Sequence, residues 1–182
     1  MEGQVEINKE AGRKGADGVS ETARHRIRAC LWILTILTCV MIFAFSSQDG
    51  DTSMETSGLF AEPIARAIAR LRPDMPQNEY QVLLDGVQAV VRKTAHFSEY
   101  ALLGGLICLL LVSYYRPHPV PGGCLLGGLY ACTDELHQYL SGSRTGMALD
   151  VLLDTCGALA GAALAFFVGL KLYRKWRLRR PA

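Results

Sequence analysis

Four long apolar segments, separated by polar ones, organise this chain. The first, residues 29–45, is seventeen residues long and contains no charged side chain. At about 1.5 Å per helical residue it reaches roughly 25 Å, close to the thickness of the hydrocarbon core of a bilayer. Three further segments, 90–115, 120–140 and 147–170, are long enough to cross as well, although each carries polar residues near one end. The pattern predicts an all-α fold, a polytopic membrane four-helix bundle.

Basic residues beside these segments predict how the chain is oriented. Arg24, Arg26 and Arg28 precede the first span, and the tail of residues 171–182 that follows the fourth is strongly basic. Since Lys and Arg concentrate on the cytoplasmic side of membrane spans, we expect a multi-pass protein of the cell membrane with both termini in the cytoplasm. Residues 1–28 are polar, and we expect them to be disordered.

The loop of residues 46–89 lies outside the cell in this topology. Its apolar and charged residues fall on two faces of one helix, Phe60, Ile64, Ile68 and Leu71 on the first and Glu62, Arg66 and Arg70 on the second. This spacing predicts a short amphipathic helix that lies on the outer membrane surface or caps the bundle.

Small residues recur at intervals of four in the last two spans. Gly123 and Gly127 share a face of the third span, and Gly157, Gly161 and Ala165 share a face of the fourth. Small residues let helix backbones approach closely in lipid, where apolar attraction between helices adds little. We therefore expect the third and fourth spans to pair tightly.

Composition changes this picture little. The 182 residues include 19 basic and 17 acidic side chains, which gives a net charge of +2. Because the charges are concentrated in the two tails and the outer loop, the net charge says little about partners, and no nucleic-acid ligand is expected. All six cysteines lie in the apolar segments without a C-x-x-C pair, which argues against a disulfide framework or a zinc site.

The polar residues inside the predicted spans share one depth. Each charge at membrane depth costs at least about 2.5–3.5 kcal/mol on insertion scales, so a group of them needs a common explanation. They lie roughly 3–15 Å below the outer surface and form three helical stripes: Arg92, His96, Glu99 and Tyr100; Asp134, His137 and Gln138; Asp150 and Asp154. Lys93 can join the first stripe, Glu135 points about 100° away from Asp134, and Arg144 lies in the turn between the two acidic stripes.

Several motifs in this layer resemble the VanZ-like family of bacterial integral membrane proteins. They are Phe45-Ser-Ser-Gln48, Arg92-Lys-Thr-Ala-His96-Phe-Ser-Glu-Tyr100, Asp134-Glu-Leu-His-Gln138, Arg144 with Asp150, and Asp154-x-x-Gly157-x-x-x-Gly161. The resemblance covers about residues 45–161, and Asp154 stands where the family often has Asn. It implies a cell-envelope protein, because the best-known member contributes to resistance against the glycopeptide teicoplanin. It implies no established reaction.

The first hypothesis for the function is a binding pocket. It would hold a polar or anionic envelope component, such as the head group of a lipid-linked cell-wall precursor, and membrane lipid would be a further partner. Cations at the outer interface stand there beside hydrogen-bonding groups within the bilayer. The residues expected to line the pocket are Gln48, Arg92, Lys93, His96, Glu99, Tyr100, Asp134, Gln138, Arg144, Asp150 and Asp154.

Two alternatives remain open. In an intramembrane hydrolase or transferase, His96, Asp134 and Glu135 are the candidate catalytic residues, although the sequence has no nucleophile or metal motif. No cofactor is expected in general, but oxygen ligands from Asp134, Asp150 and Asp154 would suit a divalent cation such as Mg²⁺ or Ca²⁺. In the structural alternative, the polar groups form a self-satisfied network, with Arg92 or Lys93 paired to Glu99 and Arg144 paired to Asp150.

Overall fold

The computed structural model describes residues 2–48, 50–141 and 148–178. These residues form five helices and no strand: α1 Glu2–Ser46, α2 Gly50–Ala69, α3 Gln77–Ser113, α4 Pro119–Ser141 and α5 Ala148–Leu178. The all-α prediction is confirmed. One difference concerns α1, which begins at Glu2 and is therefore helical over residues predicted to be disordered. Glu, Lys, Ala and Arg, all good helix formers, are frequent there, and the apolar segment continues the same helix.

Three helices are long and apolar enough to cross a membrane, namely Glu21–Ser46, Gln77–Ser113 and Ala148–Lys171. They correspond to the first, second and fourth predicted spans. The third predicted span corresponds to α4, whose mean hydropathy is lower than that of the other three spans. Its 23 residues include glycines, two prolines and a polar C-terminal part. The described part of the chain is thus that of a membrane protein with three clear candidate spans.

The core of the fold is formed by α3, α4 and α5, which pack against one another, while α1 and α2 each pack mainly on α3. Phe97 lies against Gly157 and Ala101 against Gly161, so α3 and α5 run parallel. Gly127 lies against Ala158 and Gly128 against Thr155, so α4 runs antiparallel to α5. As a result, the C-terminal end of α4 lies at the same end of the assembly as the start of α5. The C-terminal end of α1 lies there too, because Ser46 contacts Gln138 of α4.

Close backbone approach is greatest between α3 and α5. A β-carbon at Gly157 would come within 2.5 Å of the carbonyl oxygen of Phe97, and one at Gly161 would overlap the carbonyl group of Ala101. The glycines of α5 therefore face α3, whereas the sequence indicated α4. The predicted glycines of α4 do reach α5, since a β-carbon at Gly127 would lie 2.6 Å from that of Ala158.

The apolar part of α1 buries mainly small and polar side chains and exposes large apolar ones, the reverse of a helix in a water-soluble protein. Its buried face consists of Thr35, Thr38, Ile42 and Ser46, while most of its large apolar side chains are exposed. Thr35 and Thr38 satisfy their hydroxyl groups by donating hydrogen bonds to the carbonyls of Leu31 and Leu34. Such a helix suits a lipid solvent, in which outward apolar side chains carry no cost.

The two ends of the assembly differ in chemistry. The end at which α1 and α4 finish and α5 begins is called the polar end. There, Gln138 of α4 donates a hydrogen bond to Ser46 of α1. The end at which α3 finishes is called the basic end. There, Arg28 of α1 donates two hydrogen bonds to the carbonyl of Ser113.

Candidate functional site

The three stripes of polar residues lie together at the polar end. Lys93 of α3 donates a hydrogen bond of 3.0 Å to the carboxylate of Asp150 on α5. Glu99 and Tyr100 of α3 are close enough to Asp134 of α4 to interact with it electrostatically. The parallel course of α3 and α5, with α4 antiparallel to α5, produces this convergence.

Asp154 lies at the centre of a buried acidic cluster. Its carboxyl group interacts electrostatically with four others, those of Glu135, Asp134, Asp150 and Glu99. Asp154 and Asp134 are only 2% and 4% exposed. Glu135, which the sequence places about 100° from Asp134, is half-buried and close enough to Asp154 to interact with it electrostatically.

Some polar atoms of this cluster have no hydrogen-bond partner among the described residues. They include one carboxyl oxygen of Glu99 and one of Asp154, whereas the hydroxyl group of Tyr100 and the carboxyl group of Asp134 lie close to each other. A buried polar group without a partner is costly. Because Arg144 lies outside the described residues, the self-satisfied network of the structural alternative stays a prediction.

The predicted ion pairs are only partly those of the structure. Lys93 pairs with Asp150 rather than with Glu99, and the nearest basic group to Glu99 is the imidazole of His96, whose Nδ1 lies 3.9 Å from the carboxyl oxygen. Arg92 forms no ion pair with the described residues. Arg144 lies outside the described residues, so its predicted pairing with Asp150 and its role in the pocket stay predictions.

A cavity of about 190 Å³ opens beside the cluster, between the end of α1, α2 and α3. Four of the predicted pocket residues line it: Gln48, Arg92, His96 and Glu99. Phe45, Phe60 and Val91 give it an apolar wall. Glu99 belongs to both the cavity and the acidic cluster, so it joins the two. The cavity therefore offers one cation, several hydrogen-bonding groups and an apolar surface within a small volume.

The other predicted residues that the structure describes do not line this cavity. Tyr100, Asp134 and Asp154 are buried behind Glu99, and Lys93 with Asp150 forms a partly exposed pair. Gln138 is buried beside Ser46. Sequence reasoning missed the contribution of α2, because Thr56, Ser57 and Phe60 complete the wall only through the packing of α2 on α3. The apolar stripe that includes Phe60 is the feature of the sequence that indicates packing of this helix against the bundle.

A serine and a histidine also meet at the polar end, in a geometry that does not activate the serine. The hydroxyl of Ser47 lies 3.4 Å from Nε2 of His137, but it donates its proton to the carbonyl of Phe43 at 2.7 Å. The histidine can therefore not withdraw that proton in this arrangement.

Among the described residues, no group of three or more His, Cys, Asp or Glu side chains is arranged to hold a metal ion. Asp150 is drawn toward Lys93, which removes one ligand from the set of Asp134, Asp150 and Asp154. A divalent cation at Asp134, Asp150 and Asp154 stays a prediction.

Comparisons with known proteins agree with the resemblance of the motifs. No curated protein and no solved structure shows a significant match to this chain. The family model of VanZ/LLP1 matches residues 31–169, a range that extends from the apolar part of α1 into α5 and includes the whole polar end. Since the match covers well over half of the chain, the protein belongs to the VanZ/LLP1 family.

Proposed function

We propose that this protein crosses the cell membrane four times, with both termini in the cytoplasm and the polar end facing outward. The arginines before the apolar part of α1 and the basic tail support this orientation. α4, the third span along the chain, completes the four-helix bundle in this proposal. It runs antiparallel beside α5, and its 23 residues reach about 34 Å, which is enough to cross the bilayer core.

In this topology α2 is an amphipathic helix on the outer membrane surface. Ser57, Ala61 and Ala65 form the face that packs on α3, while Phe60, Ile64 and Ile68 remain exposed. An exposed apolar stripe on a short helix beside membrane spans suits burial in the interfacial region of the bilayer.

We further propose that the cavity at the polar end binds the polar or anionic head group of an envelope component, such as a lipid-linked cell-wall precursor. The observation that carries this proposal is the lining of the cavity, in which Arg92, without an ion pair among the described residues, occurs together with Gln48, His96 and Glu99. A guanidinium group suits bidentate binding of phosphate or carboxylate oxygens.

The remaining walls indicate what else such a ligand carries. Glu99 accepts hydrogen bonds from hydroxyl or amine groups, and the amide of Gln48 both donates and accepts. Phe45, Phe60 and Val91 offer an apolar surface to the first part of a lipid chain. The acidic cluster behind Glu99 would repel any anion. An amphiphile fits better than a simple anion, because its hydroxyl or amine groups and its lipid chain add favourable contacts with Glu99 and the apolar wall.

Binding to the full-length protein in lipid nanodiscs tests this proposal. We expect a lipid-linked pyrophosphate precursor to bind the wild-type chain and to bind Arg92→Gln at least about ten-fold more weakly, because one charge-assisted contact contributes about 1.5–3 kcal/mol. Arg70→Gln is the matched control, since Arg70 is an exposed arginine of the outer loop that does not line the cavity. Equal affinities of the three proteins, with unchanged melting temperatures, would refute the role of Arg92.

A contribution to glycopeptide resistance would follow from such binding. If the protein alters the availability of a cell-wall precursor, its expression raises the inhibitory concentration of a teicoplanin-type glycopeptide, and Arg92→Gln reduces this rise while Arg70→Gln preserves it. An unchanged inhibitory concentration on expression of the wild-type protein would exclude a role in resistance. The binding proposal would then be decided by the nanodisc measurement.

One observation favours a second candidate function. His96 and Glu99 line the same cavity, and Nδ1 of His96 lies 3.9 Å from a carboxyl oxygen of Glu99, so a small movement of either side chain would let the carboxylate orient the imidazole as a general base. Asp134, the other main catalytic candidate, is buried and does not line the cavity. In this hydrolase or transferase, His96→Gln abolishes turnover of a lipid-linked precursor while retaining its binding; in the binding protein, neither chain turns it over.

A further inference from the structure

A second groove lies at the basic end, far from the cavity just described. It has a volume of about 440 Å³ and runs between α1 and α4, with α3 as its floor. It exists because α1 packs along α3 but makes few contacts with α4. Its lining is mainly apolar, with Trp32 on α1, Ile107, Leu110 and Leu111 on α3, and Leu126 on α4.

One cation stands at the mouth of the groove. Arg116 lines it and forms no ion pair with the described residues. Its place is set by the backbone, because α3 ends in a Schellman motif in which the amide of Arg116 bonds to the carbonyl of Leu111 and that of Tyr115 to Val112. Tyr115 takes the left-handed position with a φ of 54°, where glycine is usual. The turn folds Arg116 back over the end of the helix.

The aromatic residues at the mouth are fixed by the neighbouring arginine. Arg28 donates hydrogen bonds to the carbonyl of Ser113, and its guanidinium lies 4.3 Å from the ring centroid of Tyr114. The hydroxyl of Tyr114 in turn accepts a weak hydrogen bond of 3.4 Å from the indole of Trp32. Trp and Tyr are the residues that favour the interface between lipid head groups and acyl chains.

The segments of α1, α3 and α4 that line the groove carry no acidic side chain. None of the residues 22–48, 100–133 or 155–182 is Asp or Glu. Arg116 thus has no ion-pair partner among the described residues, and the helix segments that line the groove offer no carboxylate. A lipid phosphate at the level of Trp32 and Tyr114 would supply one, and an acyl chain would cover the apolar floor beneath it.

We propose that this groove binds one anionic phospholipid, with an acyl chain between α1 and α4 and the charged head group on Arg116. The lipid completes the poor contact between α1 and α4 and holds α1 against the core. The groove is separate from the head-group cavity at the polar end, and the two proposals fail independently of each other.

Quenching of Trp32 by lipids with brominated acyl chains tests this proposal. The protein has two tryptophans, so the full chain is used with Trp176→Phe as background and is placed in bilayers of mixed lipids. We expect brominated phosphatidylglycerol to quench Trp32 with about five-fold higher relative association than brominated phosphatidylcholine, the ratio that corresponds to about 1 kcal/mol for one basic residue near the surface. High salt reduces the ratio.

Two variants distinguish the head group from the chain. Arg116→Gln brings the ratio to about one, and Leu126→Phe, which fills the groove, lowers quenching by both lipids; Arg70→Gln changes neither. Equal quenching by the two lipids in the wild-type background, or a preference that survives Arg116→Gln, would overturn the proposal. Loss of the preference on addition of inorganic phosphate, at an ionic strength matched with sodium chloride, would also overturn it, because it would show an anion site that does not need the lipid chain.

Discussion

The two ends of this helix assembly hold their arginines by opposite means. At the basic end, Arg28 is satisfied by neutral groups, a backbone carbonyl and an aromatic ring. At the polar end, Arg92 faces a cavity that is joined through Glu99 to a cluster of five carboxyl groups. The same residue type therefore serves as a helix cap at one end and as a candidate ligand contact at the other. What differs is the position of the acidic residues, which cluster within the assembly at the polar end and are absent from residues 22–48 and 100–133 that form the groove at the basic end.

Both ends depend on the glycine contact between α3 and α5, so breaking that contact is expected to have the largest effect. Gly161→Val would place side-chain atoms where the carbonyl of Ala101 lies, and overpacking against a backbone costs about 3 kcal/mol or more. We expect the variant to lose much of its folded yield and thermal stability in detergent.

The matched control is Gly169→Val, on the same helix. A β-carbon at Gly169 meets nothing within 4 Å, so this variant should keep the wild-type melting temperature. Equal destabilisation by the two substitutions would mean that valine acts through helix propensity rather than through the contact with α3.

The second prediction concerns the acidic cluster. Asp154→Asn removes one carboxyl group from a site that four others repel, and its volume is nearly unchanged. We expect the free energy of unfolding to rise by about 1–2 kcal/mol, which raises the melting temperature by several degrees. Asp85→Asn, at an exposed position of α3, should leave it unchanged. A lower melting temperature for Asp154→Asn would mean that its carboxylate has a cationic partner.

Much of the fold follows from the sequence for simple physical reasons. The apolar segments are long enough to specify α1, α3 and α5, and the shared depth of the polar stripes explains why they meet. The helix beginning at Glu2 was missed because a polar composition describes solubility better than local backbone conformation.

The site was harder to predict than the fold. Residue types and helical spacing placed Arg92, His96 and Glu99 on one face, but they could not show that α2 would close a cavity over that face. Likewise, the spacing of Gly157 and Gly161 indicated a packing face without indicating which helix would occupy it. Both outcomes depend on contacts between helices, which a single helical period does not encode.

A third prediction returns to the basic end. Tyr115→Gly relieves a left-handed backbone conformation that costs an L-residue about 1 kcal/mol, so we expect the free energy of unfolding to rise by about that amount. Tyr114→Gly is the opposing control, because its φ of −97° needs no glycine and its ring contacts Arg28. It should lower the melting temperature. A loss of stability in Tyr115→Gly would show that the tyrosine ring contributes more than the backbone strain costs.

The smallest effect is expected at the exposed ion pair of the polar end. Lys93→Gln breaks the contact with Asp150, but the two side chains are 58% and 32% exposed, so the change in stability should be below about 1 kcal/mol. Arg66→Gln, which breaks the exposed pair with Glu62, is the comparison. A much larger loss for Lys93→Gln in a melting experiment would indicate that this pair holds α3 and α5 together.

Photocrosslinking in intact membranes tests the difference between the two ends most directly. A photoreactive residue is placed at Phe45, which lines the cavity at the polar end, or at Leu126, which lines the groove at the basic end. We predict that the probe at Phe45 captures a lipid-linked cell-wall precursor, that Arg92→Gln removes this product, and that the probe at Leu126 captures anionic phospholipid. Capture of the same bulk phospholipids at both positions, unaffected by Arg92→Gln, would contradict head-group binding at the polar end.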